Sequence, residues 1–293
     1  MPAHNSAATQ SSALRVDRLV SLRVVRPLRR ISSSPAALRI PILMYHSISE
    51  PGADSRHPYF GTVTSPAVFE QQMRYLHDSG FQTLSPADIF ANGETSIRIV
   101  RKPVIITFDD GFRDFYTNAQ PILAKYGFTA VMYLPTAYIQ KTPATFKGYE
   151  CLTWNEVREL SRAGVLFGSH TVTHPVLKEV GQDQLEAELR DSKKTIEDEL
   201  GFAIDSFAYP YAYPQHNREF VQRLRSVLID AGYQNGVSTI IGSTHGIEDR
   251  FCLKRLPANS WDDPTFFAAK LNGDYDWLGN VQYLSKSLKA KFS

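Results

Sequence analysis

From residue 40 onward the chain alternates short apolar runs with segments whose apolar residues recur every three or four positions. The runs at 40–45, 81–84, 104–108, 128–134, 165–168, 206–209 and 233–238 read as strands, being short and rich in β-branched or aromatic residues. The segments between them carry helix signals. Ser65 is a candidate N-cap with Pro66 at the first helical position; Phe69, Met73 and Leu76 form the apolar face, and Gly80 stops the helix. A further helical piece starts at Ser85-Pro86, and another follows the 104–108 strand as far as Tyr126, where Gly127 ends it. Thr153 and Glu156 make a capping box for a helix that ends at Gly164. The 182–200 segment places Leu185, Leu189, Ile196 and Leu200 on one side and closes at Gly201, and 217–231 reads as one more helix.

Repeated strand–helix units imply a parallel sheet covered by helices, as a barrel or a doubly wound sheet. Residues 40–275 hold no internal repeat and no linker, so they read as one domain, with residues 1–39 as a flexible basic arm and 276–293 as a C-terminal tail. At 293 residues and 43% hydrophobic, the chain can bury a sizeable core.

Charge changes this picture only at the N-terminus. Residues 1–40 carry seven arginines and one acid, Asp17, a balance of +6, so the remainder carries −4 if the whole is +2. A mildly acidic body argues against nucleic acid as its partner. The arginines interrupt the arm too often for a signal-peptide core, and no run is long enough to span a membrane. The expectation is a cytoplasmic protein, with association with the cell envelope as the alternative. A flexible extension is the favoured reading of the arm, against a membrane-surface arm or an organelle transit peptide. Cys151 and Cys252 match no metal or redox spacing and read as ordinary thiols, with a disulfide left open. Oligomeric state has no signature.

In a parallel barrel the C-terminal ends of the strands share one rim, and that rim carries the active site. Here the strand ends are chemically loaded. The first ends in Tyr45-His46, the 104–108 strand in Asp109-Asp110, the 165–168 strand runs into Ser169-His170-Thr171-Val172-Thr173-His174, and the 206–209 strand ends in Pro210-Tyr211. Two adjacent carboxylates repel unless a positive charge sits near them. His170 and His174, four apart, form a common metal half-site, and one carboxylate would complete a two-histidine, one-carboxylate set with open positions. The second aspartate is then free to act as a base.

The runs TFDDG (107–111) and HTVTH (170–174) resemble the polysaccharide deacetylases of the NodB-homology type, carbohydrate esterase family 4. FRDFYTNAQPILAKYG (112–127) and LTWNEVREL (152–160) are similar to that family too, and the resemblance covers roughly residues 40–270. It implies a distorted (β/α)7 barrel. It implies that Asp110, His170 and His174 bind a divalent metal, Zn²⁺ first with Co²⁺ or Ni²⁺ as alternatives, and that Asp109 is the catalytic base. FAYPY (207–211) matches a motif whose tyrosine, here Tyr211, gives a backbone N–H to the oxyanion. PILMYH (41–46) lies before the paired aspartates, as in the circularly permuted branch that includes poly-N-acetylglucosamine deacetylases, and makes His46 the general acid. Two positions depart from the family pattern. Ala208 stands where many members have an arginine that holds the base, and Arg255, in LKRLP (253–257), is a candidate substitute. Ala212 replaces the usual glycine after the tyrosine.

The expected reaction is hydrolysis of N-acetyl groups on an amino-sugar polysaccharide or oligosaccharide, with a water on the metal as nucleophile. Tyr45, Trp154 and Tyr213 are candidate sugar-stacking residues. The alternatives are deacylation or amide hydrolysis on another substrate, and a catalytically silent carbohydrate-binding domain.

Overall fold

The computed structural model of the protein describes residues 15–31, 39–50, 61–91, 100–245 and 249–292. Seven parallel strands close into a barrel: β1 (Ile42–Tyr45), β2 (Pro103–Phe108), β3 (Val131–Leu134), β4 (Leu166–Ser169), β5 (Ser206–Ala208), β6 (Asn235–Ile241) and β7 (Leu253–Pro257). Around the barrel the order is β1, β7, β6, β5, β4, β3, β2, and β2 pairs back onto β1 with Ile42 opposite Ile105 and Tyr45 opposite Phe108. The first strand therefore lies between the second and the last. Helices between the strands cover the outside, so the fold is the distorted (β/α)7 barrel of NodB type.

The seventh strand is not the one the apolar pattern predicts. The 81–84 run forms only a two-residue strand, Gln82–Thr83, that pairs beside the start of β2. The barrel is completed instead by β7, whose sequence Leu-Lys-Arg-Leu-Pro hides its strand character behind two cations. Its register against β6 shifts between Val237 and Ile241.

The helix signals operate as read. Ser65 Oγ accepts from the Val68 N–H, the Thr153–Glu156 capping box is complete, and Gly201 closes the 182–200 helix at a φ of 81°. The stretch after β2 is less regular: a π turn at Phe115–Ala119 leads into the helix Gln120–Lys125.

The interior is built in layers by strand alternation. Ile42, Ile105, Val131, Tyr133, Ala208, Val237 and Leu253 make one apolar cluster inside the barrel. Two residues further along three strands, the inward positions become Met44, Thr107 and Arg255; one step further on, His46 and Asp109 follow. An apolar plug thus supports a polar layer, which supports the rim. Gly168 belongs to this plan: a Cβ there would lie 2.5 Å from the Tyr133 ring, so only glycine leaves room for that inward tyrosine.

At both chain ends the described residues are helical. Residues 1–14 and 32–38 lie outside the described residues. The described part of the arm, 16–31, is helical and rests on the body. Arg18 pairs with Asp263 at 2.6 Å, Asp17 accepts from the Tyr275 hydroxyl at 3.0 Å, and Trp277 donates to Ser21 at 3.0 Å. Arginines of the arm, Arg18 and Arg29 among them, are partly docking groups. The Trp277–Phe292 segment is a helix, and Gln282 ties it to β6 by accepting from the Ile241 N–H and donating to the Thr239 carbonyl. Cys151 and Cys252 are both free thiols.

Candidate active site

All the loaded strand ends open on one cleft of about 410 Å³. Its lining includes His46, Asp109, Asp110, His170, His174 and Tyr211. Asp109 and Asp110 leave β2 in opposite directions because Asp110 takes a left-handed conformation, with φ 71°. Asp109 continues the inward alternation of Ile105 and Thr107, and Asp110 turns toward the histidine loop.

Asp109 is buried, and Arg255 meets it as a fork. The two guanidinium N–H groups donate to the two carboxylate oxygens at 2.7 and 2.8 Å, with Arg255 fully buried. The same guanidinium donates to the Thr107 hydroxyl and the Ser238 carbonyl. Burial opposes the carboxylate charge, but the Arg255 guanidinium holds the Asp109 pKa down to about 2. The group is an anion at neutral pH. His46 Nε2 lies 4.0 Å from Asp109 Oδ2, and its ring reaches the cleft. Burial lowers its pKa against the raising effect of the two aspartates.

Asp110, His170 and His174 present ligand atoms that all lie within 4.8 Å of one another. His174 Nε2 is 3.3 Å and His170 Nε2 is 3.7 Å from Asp110 Oδ1. His170 Nδ1 lies 2.8 Å from the Ala208 carbonyl, which can only accept. The proton is therefore on Nδ1, and the bare Nε2 faces Asp110. Burial pushes the His170 pKa down to about 3, so the ring is neutral. The Asp110 carboxylate is held far below its ordinary range: burial resists, but His174, His46, His170 and Lys147 prevail.

The donor set fits a divalent ion. One carboxylate and two neutral imidazoles converge with open positions. A cation already sits at that point in the form of Lys147, whose Nζ is 3.1 Å from both Asp110 oxygens and 3.4 Å from His174 Nε2. His174 Nδ1 is buried with no partner.

The loop between the histidines is clamped from behind. Glu188, buried on the 182–200 helix, accepts from the Val172 and Thr173 N–H groups at 2.8 Å and from the Thr173 hydroxyl at 2.5 Å. Thr171 accepts from the His174 N–H at 2.9 Å. Among the described residues, every non-glycine residue at positive φ belongs to this region: Asp110, Lys147, Thr171, His174 and Tyr211. Such conformations cost on the order of 1 kcal/mol each and persist where surrounding contacts over-determine them.

Two residues of the site escaped the sequence reading. Lys147 sits on a tight hairpin, Thr145–Phe146 against Tyr149–Glu150, with Lys147 and Gly148 both at positive φ. A turn signal was present between the aromatic pairs, but nothing in it pointed at Asp110. Glu188 is a polar residue beside Leu185 and Leu189, and nothing in the local pattern points to the loop it holds.

Three expected sugar contacts are corrected. Tyr45 is fully buried, donates to Gln72 at 2.7 Å and packs edge-on to Phe69 at 5.1 Å. Met44 and His46 point inward on β1, so alternation sends Tyr45 out into the helix layer. Trp154 opens the 154–162 helix and is buried in the same outer core. Tyr213 is buried against Tyr209 at 4.9 Å. None of the three lines the cleft. Tyr211 does, half-exposed, with its ring 4.6 Å from that of His174.

The chain is similar to known proteins in sequence and in fold. A sequence model described as "Polysaccharide deacetylase" matches residues 98–235. YxkH of Bacillus subtilis, a protein named for the same family, is 32% identical over 219 residues, covering 74% of this chain and 71% of that one. The chain belongs to the polysaccharide deacetylase family. As a member, it is a hydrolase of carbon–nitrogen bonds. The Streptococcus pyogenes deacetylase PplD, solved in complex with acetate, superposes on this deacetylase fold with a TM-score of 0.69 at 27% identity, covering 80% of this chain and 99% of that one. The poly-β-1,6-N-acetyl-D-glucosamine N-deacetylase of Escherichia coli is 32% identical over 139 residues, which span 44% of this chain and only 20% of that protein.

Proposed function

We propose that this deacetylase is a metal-dependent enzyme that removes N-acetyl groups from an amino-sugar polysaccharide or oligosaccharide. The observation that carries the reading is the division of labour between adjacent aspartates: Asp109 is forked by Arg255, while Asp110 faces two histidines. The substrate class is supported by the E. coli relative, named for deacetylating poly-N-acetylglucosamine.

Asp110, His170 and His174 would hold the ion, with Zn²⁺ the first choice for this donor set and Co²⁺ or Ni²⁺ as alternatives. A divalent ion there would polarise the acetyl carbonyl and lower the pKa of water. Asp109, an anion at neutral pH, accepts the proton that the attacking water loses. Arg255 fixes the orientation of that carboxylate and leaves one lone pair on each oxygen for the proton. The Tyr211 N–H offers a dipole to the developing oxyanion at the rim. His46, beside Asp109 and open to the cleft, delivers a proton to the leaving amine, which departs poorly without one. The boundaries of the catalytic unit are proposed as residues 40–275, and the helical ends pack on it from outside.

The test is acetate release from N-acetylglucosamine oligomers by purified protein, with chelator and with each ion restored. Release that chelator abolishes and metal restores is expected. Bound metal by elemental analysis with no release from these oligomers would overturn the amino-sugar assignment.

A further inference from the structure

The helical segment at residues 16–31 is built the wrong way round for a surface helix. Such a helix normally buries its apolar stripe and turns its charges to solvent. Here the polar side faces the body: Asp17 receives the Tyr275 hydroxyl, Arg18 pairs with Asp263, Ser21 receives the Trp277 indole, and Arg29 donates to the Asn272 carbonyl at 2.7 Å. Five of the eight Val, Leu and Ile residues of the segment face out, while Val20, Leu22 and Val25 are half-buried and Leu22 packs against the core. Val16, Leu19, Val24, Leu28 and Ile31 are 49–80% exposed. Twelve large apolar or aromatic side chains stand exposed among the described residues, and five of them are on this one segment.

The inversion is not an accident of loose attachment. Ser21 is buried, and Arg15 reaches Asp262, itself buried and paired with Lys270 at 2.7 Å. Docking by ion pairs fixes which side points outward. An exposed row of this size on a helix calls for a partner.

The charges around the row identify its chemistry. Arg23 and Arg30 are exposed together with the apolar residues, and residues 1–40 contain seven arginines, no lysine and a single acid that is turned inward. An apolar stripe bordered by arginine is the composition of a helix that lies in the plane of an anionic bilayer surface, with its apolar side chains among the acyl chains and its guanidinium groups at the phosphates. No described helix is long and apolar enough to cross a membrane, so attachment would be in-plane.

We infer that the outward face of residues 16–31 is an anionic-lipid docking surface that lays the barrel against a membrane. The surface is separate from the catalytic cleft, and its side chains take no part in holding the barrel together.

Vesicle co-flotation of the full chain tests this, using phosphatidylcholine vesicles with and without one third phosphatidylglycerol. The full chain is expected to float with the anionic vesicles, less so at high salt, and hardly with phosphatidylcholine alone. Leu19→Asp with Leu28→Asp should weaken partition by about tenfold or more, with an unchanged melting temperature because both side chains are exposed. Arg23→Glu with Arg30→Glu should weaken it on anionic vesicles only. Failure of the full chain to float with either vesicle overturns the inference, as does equal flotation of the Leu19/Leu28 variant. A self-associating chain that ignores vesicles, and becomes monomeric in that variant by sedimentation, would reassign the face to a second copy.

Discussion

Arg255 and Asp109 face each other inside the barrel from strands that are not neighbours, as a fork on a carboxylate with both N–H···O distances at 2.7 and 2.8 Å. The two strands flank β1, so the pair passes across its inner side. It combines a structural and a chemical duty, and the two separate under mutation. Arg255→Met leaves Asp109 buried and unpaired, which should cost about 3 kcal/mol of stability and most of the activity. Arg255→Lys supplies charge without the fork. It should recover much of the urea midpoint but little of kcat. Equal recovery of both would show that orientation of the carboxylate is unimportant.

The aspartates should separate in metal assays. Asp109→Asn is expected to retain bound metal by elemental analysis while kcat falls by about 10²–10⁴-fold. His170→Ala should lose both metal and activity. Full activity in purified Asp109→Asn would remove that residue from the role of base.

Lys147 and a divalent ion held by Asp110 would compete for the same carboxylate. Replacing Lys147 with Met removes the competitor and keeps the apolar stem against the Phe146 ring, which the ammonium overlies at 4.7 Å. Zn²⁺ affinity, measured by competition with a chromophoric chelator, should rise by about tenfold, the equivalent of 1.4 kcal/mol. Unchanged or weaker affinity would mean that Lys147 swings clear at no cost.

Glu188 touches no ligand atom, yet it anchors the loop that carries both histidines. Glu188→Ala should weaken metal binding by about 10–100-fold, as loss of an outer support commonly does, with the barrel still folded. Metal affinity equal to that of the unsubstituted chain would show that the loop holds its left-handed residues without the clamp.

Acid should destabilise the metal-free protein in a defined window. An unfolded His170 takes up a proton below its ordinary 6.5, whereas the buried native ring refuses it until about 3. An unfolded Asp109 does so below 3.8, the native one not until about 2. In both windows the unfolded state binds more protons, so stability rises with pH. With chelator present, the urea midpoint should fall steadily from about pH 6.5 to about pH 4, and His170→Gln should flatten that fall. A slope identical in the variant would locate the protons elsewhere.

How far the sequence led can be judged from particular residues. His46, Asp109, Asp110, His170, His174 and Tyr211 were all named from strand ends, and all line the cleft, because the C-terminal ends of parallel barrel strands share one rim. Arg255 was named only as a candidate, since its strand carries no apolar run to announce it. The three aromatic contacts failed for the opposite reason. Tyr45, Trp154 and Tyr213 lie close to the rim in sequence, but one step of alternation or one helix cap turns a side chain from the cleft to the outer core. Lys147 and Glu188 act across 37 and 15 or 16 residues, respectively, and such separations leave no trace in local pattern. The docking of residues 15–31 was not legible because the partners of Arg15, Arg18 and Arg29 lie more than 240 residues away, at Asp262, Asp263 and Asp274.

The position of β1 between β2 and β7 also sets an order of events during synthesis. A chain emerging from the ribosome has Asp110, His170 and His174 available long before residue 253 exists. Until the last strand arrives, β1 lacks one neighbour and Asp109 lacks its guanidinium. A prematurely terminated product would carry the three proposed ion ligands but lack the fork of Arg255 on Asp109.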